Sequence, residues 1–426
     1  MGHSIAQKII ARAAGRERVG VGEYVNVSPD YTCCQEIYWP IHKRHMQQIG
    51  VSRIARPEKV VMVVDHTTTA AMGSPYHRIH RELRDFARQS GLENFFGPGT
   101  GLRHLVLTER GFARPGMLIF SDEPNIASIG ALGALNVPVS WEVVATLIGD
   151  ENWVAVPKSA RIELKGAFPF GVLVRDLAQV INRDHGNTDR LLQTCVEYAG
   201  AISSLSLDDR QSLLACAFHA GADTSVMQVD ETALDYVSQR AAGRPYFVFE
   251  ADPDAQYSFR ATYDLQALSP MVTVPPGMNT VVGVEELRGT RVDQATIGSC
   301  ASNRLDDLRA AAAILKGRRI SRHVTMYISP GSREVYAAAA REGLLEIFID
   351  AGATVLAPGC NTCWGYLGVL NDNQVSISTH QFNFQGRNGS RSARVNLAGP
   401  YVVAASAVAG SIVDPRPLLA ERAESP

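Results

Sequence analysis

Short apolar runs followed by helix-like segments recur along the chain. The run 58–65 (EKVVMVVD) precedes an amphipathic stretch at 76–89, and the run 116–121 (GMLIFS) precedes a small-residue segment at 128–135. The alternation continues with a strand at 160–164, helices at 173–182 and 208–220, a strand at 323–329, a helix at 333–351 and a strand at 353–357. Strands that alternate with helices predict an α/β fold with mostly parallel sheets.

Polar residues follow several of these strands. In parallel sheets, ligands bind beyond the carboxyl ends of the strands. Asp65-His66, Asp122 and Cys360 each come directly after a predicted strand or its turn. The pattern therefore predicts that they share one cleft.

Composition adds limits on size, charge and compartment. A chain of 426 residues exceeds what one hydrophobic core serves, so more than one domain is expected. The formal net charge of −2 gives no electrostatic reason to bind nucleic acid or an anionic membrane. No apolar run reaches the ~20 residues of a membrane span. Seven cysteines, an odd number, are too few for a disulfide scaffold, so a reducing, cytoplasmic location is expected.

Three cysteines are candidate metal ligands. Cys360 and Cys363 form a Cys-x-x-Cys pair, which also occurs in zinc sites and in thioredoxin-like redox sites. Cys300, on a Gly/Ser turn before a helix, favours a third interpretation. Three thiolates hold three irons of a [4Fe–4S] cluster and leave the fourth iron without a protein ligand, free to act as a Lewis acid. Backbone N–H groups at such turns stabilise the cluster's negative charge.

The segments that carry these cysteines resemble those of a known family. The stretch 296–318 (TIGSCASNRLDDLRAAAAILKGR) and the stretch 356–365 (LAPGCNTCWG) are similar to the cluster-cysteine segments of the aconitase superfamily. Collinear similarity extends over 97–122, 156–172 and 383–414, and the length is similar to that of isopropylmalate dehydratase large subunits.

The resemblance implies an architecture and a partner. Three α/β/α domains are expected around a central cluster cleft, at 1–157, 158–260 and 261–426. The mobile fourth domain of aconitase would then be a separate small subunit.

The resemblance also implies roles for particular residues. Asp65 would orient the His66 imidazole beside the cluster, and His104 and Asp122 would hydrogen-bond solvent on the open iron. Gln35, which precedes an acid, and Arg387 would contact the substrate, the arginine through a carboxylate.

Three positions depart from the family pattern. The usual Asp-Ser-His-Thr reads Asp-Glu-Pro-Asn here, so Pro124 stands where a histidine is expected. His219 falls at a family glutamate and is a candidate acid, base or cation. Phe382 falls at a second carboxylate-binding arginine, which predicts a substrate that is apolar or uncharged at that end, because an unpaired buried carboxylate is costly.

The leading hypothesis is an iron–sulfur hydro-lyase that adds or removes water across a C–C double bond of a small malate- or aconitate-like carboxylic acid. Two alternatives stay open. One is decarboxylation, isomerisation or another reaction of an aconitate-like acid on the same scaffold, and the other is a non-catalytic relative that only carries the cluster.

Overall fold

The fold is a mixed α/β architecture with mostly parallel sheets, which confirms the predicted class. The computed structural model describes residues 2–68, 74–140 and 142–423. No helix within these ranges is both long enough and apolar enough to cross a bilayer.

The strands of the described chain are short and run through its whole length. In order they are β1 (Tyr24–Val27), β2 (Tyr31–Gln35), β3 (Val60–Val63), β4 (Phe95–Phe96), β5 (Leu118–Ser121), β6 (Leu135–Pro138), β7 (Asn152–Ala155), β8 (Lys158–Lys165), β9 (Thr194–Gly200), β10 (Thr224–Met227), β11 (Phe259–Asp264), β12 (Met271–Thr273), β13 (Val281–Gly283), β14 (Gln294–Ile297), β15 (Thr325–Ile328), β16 (Thr354–Val355), β17 (Val375–Ser378) and β18 (Arg394–Ala398).

The α-helices precede, separate and follow these strands along the chain. In order they are α1 (Ile5–Ala13), α2 (Trp39–Ile49), α3 (Ser74–Gln89), α4 (Arg103–Glu109), α5 (Val143–Gly149), α6 (Val174–His185), α7 (Leu207–Leu214), α8 (Glu231–Ser238), α9 (Leu305–Leu315), α10 (Arg333–Arg341), α11 (Leu344–Ala351), α12 (Asn361–Trp364), α13 (Pro400–Ala409) and α14 (Arg416–Ala423). Short 3-10 helices add Pro57–Lys59, Pro124–Leu132, Ala201–Ser204, Ala217–Ala220, Leu265–Ala267 and Val284–Leu287.

The chain divides into two compact units. The first comprises residues 1–164 and 188–263, and the second comprises residues 165–187 and 264–426. The division into three domains, with boundaries after residues 157 and 260, stays a prediction.

The first unit contains a five-stranded parallel sheet in the order β4-β3-β2-β5-β6. A second sheet has the order β10-β9-β8-β11, in which β10, β9 and β8 are parallel. The central strand β3 (Val60–Val63) is apolar and buried at every position. Such continuous apolar runs are typical of parallel strands that are covered on both faces.

The second unit is built on a seven-stranded sheet in the order β13-β12-β18-β17-β14-β15-β16. The strands from β18 to β16 are parallel, and β12 and β13 form an antiparallel edge. Helix α13 packs against α9 and β14. Its buried alanines, Ala404, Ala405 and Ala407, permit this close approach because each side chain is a single methyl group.

Two predicted helices differ from the observed ones. The stretch 333–351 forms two helices, because Gly343 adopts a left-handed conformation (φ 72°) that ends one helix and starts the next. The stretch 208–220 forms α7 and then a 3-10 helix that contains His219. Periodicity alone does not reveal such breaks, since the apolar spacing continues across them.

Candidate active site

In the first unit, three predicted site residues lie at one edge of the five-stranded sheet. Gln35 ends β2, Asp65 follows β3 and Asp122 follows β5, and these strands are neighbours. Because the strands are parallel, their carboxyl ends meet at the same edge. The sheet topology therefore brings together residues that are up to 87 positions apart in sequence.

Asp65 and His66 form a buried acid–imidazole pair. Asp65 Oδ1 lies 2.7 Å from His66 Nδ1, and the residues are 2% and 5% exposed. Burial alone lowers the pKa of His66, but the charge of Asp65 and the hydrogen bond to it outweigh burial and raise the pKa to about 9. Burial raises the pKa of Asp65, yet His66 and Arg103 together hold it well below its usual range. The pair is therefore ionic near pH 7.

Arg103 links the carboxylates of the site. Its backbone N–H and its Nε donate to Asp65 Oδ2 at 3.0 and 3.3 Å, and its two terminal nitrogens donate to Asp122 and Glu123. The side chain is 1% exposed. Arg103 is the first residue of α4, so the helix start and the guanidinium both face acceptors.

Asp122 has further partners on β2 and α2. It accepts from the backbone N–H of Gln35 at 3.2 Å and from Gln35 Nε2 at 3.4 Å, and it pairs with His42 Nε2 at 3.2 Å. A cavity of about 470 Å³ adjoins it, lined by Tyr38, Ile41, His42, His45, Asp122, Glu123, Pro124, Pro138, Val139 and Ser140.

Glu36 accepts a set of donors from the loop after β3. The backbone N–H groups of Asp65, His66 and Thr67 donate to it at 3.2, 2.7 and 2.6 Å, and the Thr67 hydroxyl donates at 2.9 Å. Burial, followed by the charge of Asp65, raises the pKa of Glu36. This carboxylate fixes the loop that presents the Asp65–His66 pair.

The other two predicted histidines of this unit are also buried. His104 is 1% exposed and follows Arg103 in α4. His219 is 8% exposed, and its ring centroid lies 4.1 Å from that of Phe218. The 3-10 helix that carries His219 packs against the 3-10 helix Pro124–Leu132, which begins after the Asp122 loop.

In the second unit, the three cysteines follow strands of the seven-stranded sheet. Cys300 comes after β14, and Cys360 and Cys363 come after β16, with β15 between these parallel strands. All three positions are therefore at the carboxyl edge of the sheet. Cys360 and Cys363 are buried, and Cys300 is partly exposed.

The surroundings of Cys363 favour a thiolate. The Cys360 thiol donates a hydrogen bond to its sulfur, and this bond, with His380, Arg387 and the backbone N–H of Gln381, holds the pKa of Cys363 well below its usual value against the effect of burial. His380 follows β17, is buried, and places Nε2 3.2 Å from the Thr362 hydroxyl.

The donor set fits an iron–sulfur cluster better than a single ion. Among the described residues, only Glu36, Asp65 and His66 bring three candidate ligand atoms within 4.8 Å of one another. The three sulfurs are therefore spread more widely than around one tetrahedral zinc, where Zn–S bonds of about 2.3 Å hold them closer. Three positions after Cys300, the fully buried side-chain amide of Asn303 has no hydrogen-bond partner within the described chain, which indicates a polar environment suited to a bound group.

Arg387 lies among aromatic rings next to the cysteine pair. Its Nε donates to the Cys363 carbonyl at 3.0 Å. Its guanidinium carbon is 4.7, 5.2 and 5.5 Å from the ring centroids of Trp364, Phe382 and Phe384. Phe382, predicted to replace an arginine, thus forms part of an apolar wall around the remaining one.

Sequence reasoning missed Arg103, His42 and His380. His380 had a usable signal, because it follows a short strand of alternating apolar and hydroxyl residues (VSIS), and Cys360 also follows a strand. Arg103 and His42 had none, because a basic residue on a helix is exposed far more often than buried.

Parallel sheets with imidazole, carboxylate and thiol groups at their carboxyl edges are typical of an α/β enzyme. The chain belongs to the aconitase family: the model described as "Aconitase family (aconitate hydratase)" matches residues 7–410.

Close relatives by sequence are named dehydratases and a homoaconitase. The probable 3-isopropylmalate dehydratase large subunit of Methanothermobacter thermautotrophicus is 37% identical, over 97% of this chain and 99% of that protein. The 3-isopropylmalate dehydratase large subunit 1 of Methanopyrus kandleri is 36% identical over 98% and 100%. A probable methanogen homoaconitase large subunit from M. thermautotrophicus is also 36% identical, over 97% of both chains.

A solved structure supports the fold. The holo-form of aconitase X from Thermococcus kodakaraensis superposes with a TM-score of 0.51 over 88% of this chain and 89% of that one. At 11% identity this likeness extends to the fold alone.

Proposed function

We propose that the chain is the cluster-bearing subunit of a hydro-lyase that adds or removes water on a small malate- or aconitate-like acid. One observation carries the proposal: Cys300, Cys360 and Cys363 all lie at the carboxyl ends of neighbouring parallel strands of one sheet, in a chain of the aconitase family. A redox pair would need only Cys360 and Cys363, and a zinc ion would need sulfurs closer together.

These three residues would hold a [4Fe–4S] cluster through their thiolates. When bound, the cluster supplies a Lewis-acidic iron that polarises oxygen atoms of the substrate. The hydrogen bonds to Cys363 and the nearby Arg387 guanidinium would stabilise the ligand in its ionised form. The carbonyl of Cys300 accepts from the buried Arg304 at 3.0 Å, which fixes the backbone of that ligand.

His66 is assigned the acid role. With a pKa of about 9 its imidazole carries a proton at neutral pH, and it can donate that proton to a departing hydroxyl group. Asp65 orients the ring and stabilises its charge. Asp122 and His104 are assigned to positioning water, and Arg103 fixes Asp122 and Asp65 in place.

Arg387 is assigned to the substrate carboxylate, with Gln35 as a further polar contact. The rings of Trp364, Phe382 and Phe384 leave little polar surface around the guanidinium. We infer a substrate that has one carboxylate for Arg387 and an apolar group against Phe382. His219 remains a candidate acid or base.

A second polypeptide is part of the proposal. The relatives described above are named large subunits, so we infer a small-subunit partner that supplies the base for the carbon-bound proton. The free thiols of the described chain suit a reducing, cytoplasmic setting.

The test is anaerobic reconstitution with iron and sulfide. Wild-type chain should incorporate about four irons, and the electron paramagnetic resonance spectrum of its cluster, reduced with dithionite to the paramagnetic [4Fe–4S]+ state, should change on addition of malate-type acids. Cys363→Ser should lose the cluster, whereas Cys195→Ser, a buried thiol in the first unit, should retain it. Zinc uptake in place of iron, or a cluster that survives replacement of all three cysteines, would contradict the proposal.

A second candidate reaction is decarboxylation on the same platform. Pro124 at a histidine position and Phe382 at an arginine position favour it, because both remove polar groups that a hydratase uses. NMR of the products separates the two reactions: incorporation of solvent oxygen indicates hydration, and release of carbon dioxide indicates decarboxylation.

A further inference from the structure

A chain of hydrogen bonds leads from the Asp65–His66 pair toward the surface of the first unit. Glu36 Oε1 accepts from the Thr67 hydroxyl at 2.9 Å, and the same hydroxyl lies 2.6 Å from His80 Nε2. Thr67 is fully buried and His80, on α3, is half-buried. The line therefore joins a buried carboxylate to an imidazole near solvent.

The inner end of this line reaches the candidate acid. One carboxylate oxygen of Glu36 lies within 4.8 Å both of a carboxylate oxygen of Asp65 and of a ring nitrogen of His66. Two hydrogen bonds of ordinary length through one water molecule span such a distance. A water molecule bound between them would complete the step from the pair to Glu36, and two direct hydrogen bonds lead from Glu36 to His80.

The single hydroxyl proton of Thr67 fixes which groups donate and which accept along this chain of hydrogen bonds. A threonine carries one hydroxyl proton and can accept a second hydrogen bond while it donates the first. When Thr67 donates to Glu36, the partner that donates to Thr67 is His80 Nε2–H. When Glu36 is protonated, the orientation reverses and Thr67 donates to His80 Nε2.

We propose that Glu36, Thr67 and His80 form a proton relay between the Asp65–His66 pair and solvent. The proposal rests on the proposed hydro-lyase function, in which His66 must regain a proton after each dehydration and release one in each hydration. In the outward direction a ring N–H bond of His66 breaks, and its proton passes to Glu36 through one bridging water molecule. The O–H bond of Glu36 then breaks and its proton passes to Thr67 Oγ1, while the original hydroxyl proton of Thr67 passes to His80 Nε2. Glu36 regains its negative charge, and His80 releases its other ring proton to water.

A relay is needed because the Asp65–His66 pair is buried. His66 is 5% exposed and Asp65 is 2% exposed, so bulk water has little direct access to the pair. Burial and the charge of Asp65 raise the pKa of Glu36, which makes it easier to protonate than an ordinary glutamate. An easily protonated carboxyl group beside a proton donor is suited to pass protons on.

Anchoring of the loop alone would not require all of these groups. The three backbone N–H groups that donate to Glu36 hold the loop without the hydroxyl of Thr67 and without His80. Substitutions at Thr67 and His80 therefore test proton transfer separately from anchoring of the loop.

The test compares Thr67→Val, Thr67→Ser and His80→Ala in the reconstituted enzyme with its small-subunit partner. Thr67→Val, which has the same shape and no hydroxyl, should lower kcat by about tenfold or more, within the range of general acid–base effects. Thr67→Ser, which keeps the hydroxyl, should retain most of the wild-type rate.

His80→Ala should lower kcat by a similar factor. Added imidazole should rescue the rate of His80→Ala but should not rescue that of Thr67→Val. The control is His77→Ala, because His77 is an exposed residue on the same helix, α3. This variant should keep the wild-type kcat, and added imidazole should not alter it.

A second readout separates this proposal from the proposed function. Exchange of the His66 ring N–H with solvent, followed by NMR, should slow in Thr67→Val by about the same factor as kcat falls. If wild-type chain shows no turnover of any acid, the proposed function fails and the exchange measurement still decides the relay. Equal exchange rates in wild type and Thr67→Val, with equal unfolding midpoints, would overturn the relay, as would failure of imidazole to rescue His80→Ala.

Discussion

A single buried guanidinium holds three carboxylates at the candidate site of the first unit. Arg103 contacts Asp65, Asp122 and Glu123, and its own side chain is 1% exposed, so solvent has little access to the guanidinium. Removing one partner from a buried ionic group leaves the others uncompensated, which costs far more than loss of a surface pair. Arg103 therefore positions the carboxylates of the site and also contributes to the stability of the fold.

Arg103→Met should lower the free energy of unfolding by about 3–5 kcal/mol, because it removes the buried cation that three carboxylates share. Urea denaturation measures the loss. Arg309→Met is the control, since Arg309 is half exposed and pairs with Asp306 and Glu342 at the surface; it should cost less than about 1 kcal/mol. Similar losses in the two variants would refute the assignment.

The Asp65–His66 pair should make stability depend on alkaline pH. The pKa of His66 is raised from 6.5 in the unfolded chain to about 9 in the fold, so its stabilisation is complete below pH 6.5 and is lost as pH rises toward 9. Over that interval wild type should lose roughly 3 kcal/mol more than His66→Gln. Urea titrations at pH 6 and pH 9 check this, and parallel curves for the two proteins would contradict it.

At the residue scale, the sequence revealed site residues that directly follow a recognisable strand. It did not reveal residues whose contacts are all with positions distant in the sequence. Asp65 and Asp122 were predicted because each follows an apolar strand. Arg103 was not, because its partners lie 38, 19 and 20 positions away, a spacing that no local pattern encodes. His42 escaped for the same reason, since it meets Asp122 across 80 positions.

At the element scale, the turn after β14 places Cys300. Gly298 has φ of 135°, and a Cβ atom there would lie 2.5 Å from the Ser329 carbonyl oxygen. Its N–H donates to the Thr379 hydroxyl at 2.9 Å. Glycine is therefore required by backbone conformation and by close approach together.

Gly298→Ala should reduce iron incorporation at least severalfold and lower the unfolding free energy by more than about 1 kcal/mol. Gly317→Ala is the matched control, because Gly317 also has positive φ (74°) but a Cβ atom there meets nothing within 4 Å. Iron content after reconstitution, compared with wild type, is the measurement. Equal iron content in the two variants would show that the close contact does not matter.

Elements were predictable where apolar runs were continuous and bounded. The strands β3, β5 and β15 were placed within a few residues of their observed positions. The break at Gly343 and the short 3-10 helix around His219 were not, because both arise from backbone geometry that leaves the hydrophobic spacing unchanged.

At the scale of the whole molecule, the proposed activity needs a second chain. Reconstituted chain alone should bind a malate-type acid at its cluster, seen as a spectral shift, yet turn it over at no more than about a hundredth of the rate with the small subunit from the same organism, since a general base contributes at least that factor. Stopped-flow assays with and without that subunit measure the difference. Full turnover by the purified chain alone would exclude a required partner.

The two units are interleaved in the primary sequence, and this affects how the chain can be made. The path passes from one unit to the other after residues 164, 187 and 263. During synthesis, the first unit therefore lacks part of its sheet until residue 263 has left the ribosome. The segment 165–187 emerges earlier than the sheet of the second unit, to which it belongs. Neither unit can be produced by a single truncation, so split versions of this protein would need the segment 165–187 transplanted with residues 264–426.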